Sequence, residues 1–328
     1  MAARAIAAAL QLGLIDRLAS TAEMAMENVA SAIGAPAVGA HALAELLDGY
    51  GVVRLRPSGV SLTERFREAL EFREYLELRL RFADLVWPDI QALFPFLLCS
   101  IPEFMARSRV FDLFRYDRCL TVNAEALQSA RRWTELTTGL TRYEAPAALG
   151  RVDLGGVGDF LDLGGNTGEF ALQVCRRSAT TRATVVDLPV VCELGREHMA
   201  RTAAAEEADR IRFLTADLRT NWALPQADLV SFKSVLHDWP EADAIDLLRR
   251  GAGQVRPGGR IMIFERAPLD LCRHRFTYAM APDLVFLHFL RPAAAYVDTL
   301  SALGFQSIET FTVELEVDFH LILATRPI

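Results

Sequence analysis

The sequence has no apolar run of the roughly 20 residues that carry a helix across a bilayer. Its longest candidate, Leu93 to Ile101, is short and broken by Pro95. The opening MAARAIAAALQLGLIDRLA carries Asp16 and has no cleavage-site pattern, so it reads as an amphipathic helix and not a signal peptide. Positive charge is not in excess: Lys+Arg 35 against Asp+Glu 42 gives a net charge of −7. Nucleic-acid partners usually meet a basic face, so none is expected. The five cysteines (Cys99, Cys119, Cys175, Cys192, Cys272) are scattered and never form C-x-x-C. They read as reduced, structural thiols of a cytoplasmic protein, not as a disulfide framework. No His/Cys/Asp/Glu set has metal-ligand spacing; His237-Asp238 with His288 is a weak trio, and no metal is expected. Internal repeats and low-complexity tracts are absent. With 52% hydrophobic and 23% charged residues in 328, the chain has ample material for a core.

The pattern divides near residue 150, giving expected domains of 1–150 and 151–328. In the first, Ala22 to Ile33 and Val38 to Leu47 can form helices separated by Gly34 and Pro36. The segments VVRL and VSLT flank the turn Pro57-Ser58-Gly59, a hairpin after two helices, as in a winged helix. Such a module reads DNA or pairs subunits. An acidic chain with only Arg54 and Arg56 at the wing favours pairing. Residues 73–150 read as helical, rich in Phe, Leu and Arg, and suited to roofing a pocket.

From Gly158 onward strands and helices alternate, which predicts an α/β fold with a mostly parallel sheet. The expected strands are DFLDLG, ATVVDL, IRFLTADL, ADLVSFKSVL and RIMIFER, the last entered through a turn at Pro257-Gly258-Gly259. Two more near SIETFTV and HLILATR close a seven-stranded sheet with a terminal antiparallel hairpin.

Leu161 to Gly168 (LDLGGNTG) runs a strand through a Gly-rich turn into a helix, so a ligand can approach backbone there. The spacing fits the G-x-G-x-x-G fingerprint poorly, and such a turn also occurs with no ligand. Asp187, ending the second strand, can accept both hydrogen bonds of a ribose diol, and Asp217 ends the third. Together these favour a nucleoside-bearing ligand. His237, after the fourth strand, stands at the same sheet edge and can take a proton from a hydroxyl. Glu265, ending the fifth, can orient its ring. A histidine bonded to backbone and an ordinary strand-end carboxylate are the plainer alternatives.

LDLGGNTG, VVDLP, TADL, FKSVLHDWPEADAIDLLRR and PGGRIMIFE together resemble the class I, S-adenosylmethionine-dependent O-methyltransferases of the caffeate and hydroxyindole type. The resemblance covers nearly the whole chain. It implies a Rossmann-like class I methyltransferase domain preceded by an α-rich winged-helix dimerisation domain, a homodimer, and a small-molecule acceptor. It implies that Gly164, Gly165 and Asn166 line the methionyl part and sugar of S-adenosyl-L-methionine. Asp187 and Leu188 would hold its ribose and adenine, Asp217 and Leu218 would flank the adenine, and Lys233 and Thr141 would meet its edge. His237 matches the family's general base and Glu265 one of two supporting carboxylates. The second is missing: Arg291 matches the family's arginine in HFLRPAAAY, which puts Leu290 at the glutamate position.

That departure keeps two acceptors open. A phenol or alcohol needs a base, whereas a thioether carries no proton and needs positioning alone. A thioether acid such as 4-methylthio-2-hydroxybutyrate, methylated by some bacterial relatives toward dimethylsulfoniopropionate, would need cations and polar neighbours. Arg142, Arg275 and Arg291 are candidates, with Tyr143, Asp238, Tyr278 and His288 beside them. A cofactor-binding relative with different chemistry, or a winged-helix regulator, are the alternatives from other classes.

Overall fold

The computed structural model describes every residue except 221 and 272–275. The candidate anchor Arg275 and Cys272 therefore lie outside the described residues. The chain forms two compact units, Met1–Asp84 and Leu85–Ile328.

The first unit holds α1 (Ala2–Gln11), α2 (Leu14–Ala19), α3 (Met26–Ile33), α4 (Ala37–Gly49), the hairpin β1 (Val53–Arg56) and β2 (Gly59–Leu62), and α5 (Glu64–Ala69). A bridge between Met24 and Val60 completes the wing. Leu14, Ile15, Leu18, Leu47 and Val60 form its core.

In the second unit come the rest of α6 (Arg73–Cys99), α7 (Ile101–Arg107), α8 (Arg109–Leu113) and α9 (Ala124–Leu149). Next are β3 (Asp159–Leu163), α10 (Glu169–Arg177), β4 (Arg182–Asp187), α11 (Pro189–Thr202), α12 (Ala205–Ala208), β5 (Ile211–Thr215) and β6 (Ala227–Lys233). The chain then runs through α13 (Glu241–Ala252), β7 (Val255–Arg266), α14 (Ala281–Leu284), α15 (Ala293–Ala302), β8 (Gln306–Glu314) and β9 (Asp318–Thr325). The division expected at residue 150 marks the end of α9. By compactness residues 85–150 go with the sheet instead, because α9 packs on α10 and α11.

The helical run Glu64–Cys99 is long and apolar enough to cross a membrane by length and composition, which scanning for unbroken apolar runs misses. Core helices of soluble proteins satisfy the same criterion, and this run contains Pro88 and Pro95 and the buried Arg79 and Asp89.

The sheet order is β5-β4-β3-β6-β7-β9-β8, parallel through β7 and antiparallel at β9 and β8. Strand β3 is buried along Phe160 to Leu163, as expected of a central strand covered on both faces. Alternation along β7 divides its side chains. Met262 and Phe264 join the core that holds Phe170 and Phe319, while Ile261 and Ile263 join the one that holds Tyr296 and Leu300. Glu265 and Arg266 thus leave the end of one strand toward opposite faces of the sheet. The turn expected at Pro257-Gly258-Gly259 is instead an irregularity inside β7. The ladder to β6 skips residues 256–259, where Gly258 is left-handed at φ +76°, while on the other side Gly258 donates to the carbonyl of Arg326 (2.9 Å) and Arg326 to that of Gly259 (2.8 Å).

Candidate active site

The Gly-rich turn closes tightly. Gly164 has φ +68°, and a Cβ on Gly165 would lie 2.6 Å from Asp162 Oδ2 and 2.8 Å from Val185 Cγ1. Neither position admits a side chain without displacing its neighbours. Asn166, itself left-handed at φ 54°, donates its backbone N–H to Asp187 Oδ2 (2.8 Å), and Leu188 N–H donates to Asp187 Oδ1 (2.7 Å). Burial pushes Asp187 up to about 6 against those two hydrogen bonds. Each carboxylate oxygen keeps a free lone-pair direction, so a diol can be added without displacing either bond. The Asn166 side-chain amide donates to Thr137 Oγ1 (2.6 Å), tying the turn to α9. Beneath it Asp162 accepts from the Ser231 hydroxyl (2.5 Å), its other oxygen is buried without a partner, and burial pushes its carboxyl up to about 7.

Asp217 and Leu218 follow β5, whose Thr215 is in register with Asp187. Asp217 is gripped by Arg219 through both carboxylate oxygens (2.8 Å each), and Leu218 O accepts from Arg250 (3.1 Å). Lys233 donates to Thr141 Oγ1 (2.9 Å) and to Glu144. Glu144 also accepts from Arg266 (2.7 Å), which reaches Asp283 (3.1 Å) and Ser234 Oγ (3.2 Å). This chain of buried charges, two of each sign, locks α9 to the ends of β6 and β7.

His237 is 7% exposed and Glu265 fully buried. Glu265 Oε2 is 2.6 Å from His237 Nδ1, and Oε1 accepts the N–H groups of Val235 and Leu236 (2.7 Å each). A carboxylate receiving two backbone donors is an acceptor only, so Nδ1 carries the hydrogen and Nε2 keeps its lone pair. Burial works against both charges. The histidine and the hydrogen bonds nonetheless leave Glu265 below its ordinary range, and Glu265 and Asp238 leave His237 above its own. Asp238 Oδ1 stands 3.5 Å from Nε2, beside the ring and beyond hydrogen-bond distance.

Aromatic side chains flank this centre. Phe286 meets the His237 ring edge-on at 5.9 Å, and Phe111 and Phe114 pack on Phe286 at 5.7 and 6.2 Å. Trp133 follows at 5.9 Å from Phe114 and 5.5 Å from Tyr116.

The remaining expected substrate residues lie in other settings. Arg291 donates to the backbone carbonyls of Leu236 (2.8 Å) and Trp239, bracing the segment that holds His237. His288 is exposed, with Nε2 2.6 Å from the carbonyl of Leu97. Arg142 stands 3.9 Å from the buried Glu169, Tyr278 packs on Trp87 at 5.1 Å, and Tyr143 is half-buried. Leu290 is buried. Among the described residues no three His, Cys, Asp or Glu side chains are placed to hold a metal ion.

The O-methyltransferase domain family matches residues 120–306, more than half of the chain. The chain belongs to the O-methyltransferase family. It is 39% identical over 105 residues to acetylserotonin O-methyltransferase of Mus musculus, covering 32% of this chain and 27% of that protein. It is 26% identical over 277 residues to a probable bifunctional dTTP/UTP pyrophosphatase/methyltransferase protein of Homo sapiens, covering 81% and 42%. The chain thus spans well under half the length of these curated relatives. The crystal structure of human N-acetylserotonin methyltransferase in complex with SAM superposes at a TM-score of 0.73 with 21% identity, covering 99% and 94%. That likeness gives the fold, a class I methyltransferase with a mostly parallel sheet, an antiparallel end and a helical N-terminal part.

Reading by motif passes over Thr137, Glu144, Arg266, Asp283 and Tyr116. The signal for Glu144 is faint, an acid ahead of the apolar Ala145 to Leu149. Arg266 carries a clearer one, a second charge beside Glu265 at the end of an apolar strand.

Proposed function

We propose that the protein is an S-adenosylmethionine-dependent O-methyltransferase that methylates a hydroxyl of a small aromatic acceptor, with His237 as general base. The observation that carries this reading is the Glu265–His237 pair, with Nδ1 fixed at 2.6 Å and the ring edge-on to Phe286. An aromatic lining favours a flat, apolar acceptor. The expected cations do less for a small acid, since Arg291 is committed to backbone carbonyls.

The residues fit the cofactor. The turn at Gly164 to Asn166 excludes side chains, and Asp187 retains acceptor capacity for a ribose diol. Leu188, Asp217 and Leu218 would border the adenine, with Thr141 and Lys233 at the methionyl edge. When bound, S-adenosylmethionine supplies a methyl on a positively charged sulfur. His237 Nε2 takes the acceptor's hydroxyl proton as the oxygen becomes the nucleophile, and Glu265 stabilises the imidazolium. Base catalysis of this kind is worth about 10²–10⁴-fold, and alignment of the reactants supplies the larger share.

S-methylation of a thioether acid is the second reading, favoured by one observation: buried Leu290 stands where the resemblance calls for a second supporting carboxylate. Methyl-deuterated S-adenosylmethionine with a panel of phenols, hydroxy acids and methylthio hydroxy acids separates the two by mass spectrometry. A labelled ether made by wild type and lost in His237→Ala supports O-methylation with a base. A labelled sulfonium made equally by both variants overturns it. Pairing of two chains through the first unit follows from the family resemblance, and sedimentation at monomer mass would refute it.

A further inference from the structure

Tyr116 opens a short 3-10 turn, Tyr116–Cys119, ahead of α9 and far in sequence from the catalytic segment. Its hydroxyl donates to Asp238 Oδ2 at 2.8 Å, while Asp238 Oδ1 is the oxygen 3.5 Å from His237 Nε2. Its ring is set against Trp133 at 5.5 Å, and Trp133 is buried. An apolar cluster that includes Trp133, Val190 and Leu194 holds the ring, and Asp238 holds the hydroxyl.

The distances give the pair a consequence. A carboxylate beside an imidazole is drawn onto the ring nitrogen once that nitrogen carries a proton. Were Asp238 to turn fully onto Nε2, the base would be held as an imidazolium paired at both nitrogens and unable to accept a proton. At 3.5 Å the carboxylate is near enough to favour developing charge and too far to occupy the lone pair. The bond from Tyr116 engages the other Asp238 oxygen and opposes that rotation.

We propose that Tyr116 is a positioning residue for methyl transfer. It acts through Asp238, holding that carboxylate beside the general base and off its reactive nitrogen. Asp238 so held supplies charge support that Leu290 cannot. The proposal rests on the reading of His237 as base. The charged groups bearing on the centre are Glu265 and Arg266 at the end of β7, Asp238 itself, and Asp187 across the cofactor side. Of these, Asp238 accepts the Tyr116 hydroxyl and Asp187 acts on it through space.

Tyr116→Phe keeps the ring against Trp133 and removes only the hydroxyl. Expected are a kcat lower by roughly tenfold, the loss of one hydrogen bond to a charged group, and an unchanged KM for S-adenosylmethionine. The acid limb of the pH–rate profile should move to higher pH, because Asp238 then pairs with the protonated ring. In an Asp238→Asn background the same substitution should add little, since the two act in series. An unmoved or downward-moved acid limb, or effects that multiply with Asp238→Asn, overturns the proposal. Methyl transfer that survives His237→Ala removes the base reading and this proposal with it. Transfer that needs His237 but ignores Tyr116 removes the proposal alone. A thermal melt of Tyr116→Phe matching wild type shows that any loss is not one of folding.

Discussion

Glu265 gives one oxygen to His237 Nδ1 at 2.6 Å and the other to two backbone N–H groups of the segment that carries the same histidine. One carboxylate thereby sets the tautomer of the ring and the path of the chain that presents it. Glu265→Gln should break at least one of these functions. An amide offers one acceptor and one donor where three donors converge, so it cannot satisfy them all.

For that variant a kcat fall of at least about 10²-fold is expected, with cofactor affinity nearly unchanged. The wild-type pH profile tests the same pair. On the proposed mechanism the active base is the neutral ring, and the carboxylates of Glu265 and Asp238 hold its pKa above the ordinary value of about 6.5 against the cost of burial. Hence kcat/KM should rise with pH, with an acid limb above that value, and Asp238→Asn should move the limb down. The shift also bears on folding. A raised histidine pKa contributes stability fully below the unfolded value, and the contribution is lost as pH rises through the folded one. A flat profile across neutral pH would contradict the assignment.

Asp187 makes a second pH prediction, in a higher pH window than a surface acid would give. Its carboxyl, pushed up to about 6 by burial, could serve as the proposed diol acceptor only when ionised. Affinity for S-adenosylhomocysteine, followed by calorimetry between about pH 5 and 8, should weaken as pH falls through that value. In Asp187→Asn the affinity should drop roughly tenfold and lose this pH dependence.

The buried charges around Glu144 predict a stability effect with little direct chemistry. Glu144 is 1% exposed and faces Lys233 and Arg266, so Glu144→Gln leaves two buried cations short of a partner. A loss of about 3–5 kcal/mol in urea unfolding is expected. Adding Lys233→Met should recover part of it, because the two substitutions share one interaction. Losses that simply add in the double variant would show that the network is not coupled as drawn.

What could be read from the amino acids follows how local each feature is. The turn at Gly164 to Gly168 and the acid at Asp187 are set by a strand, a turn and a helix in succession, and each stands at the expected sheet edge. Pairing of Glu265 with His237 was legible too, because both close neighbouring parallel strands. Arg291 shows the limit. A guanidinium near a motif can face a ligand or two carbonyls, and only the path of Leu236 to Trp239 decides. Tyr116 and Glu144 meet their partners across long stretches of sequence, and no spacing announces them. Pro257-Gly258-Gly259 carries a turn signal that takes the form of a left-handed bulge within β7, bonded to Arg326 on one side. Placing the first division at residue 150 followed composition, whereas α9 packs with the helices that come after it.

The position of β9 between β7 and β8 bears on how the enzyme is made. Glu265 sits directly across from His320 in the antiparallel register, so the catalytic strand stays an open edge until β9 has left the ribosome. Parallel pairing of the earlier strands can proceed during synthesis, whereas the strand beside Glu265 follows them in the chain. A chain that has paired its earlier strands can therefore shape the turn at Gly164 to Asn166 and Asp187 before β9 covers the strand that carries Glu265.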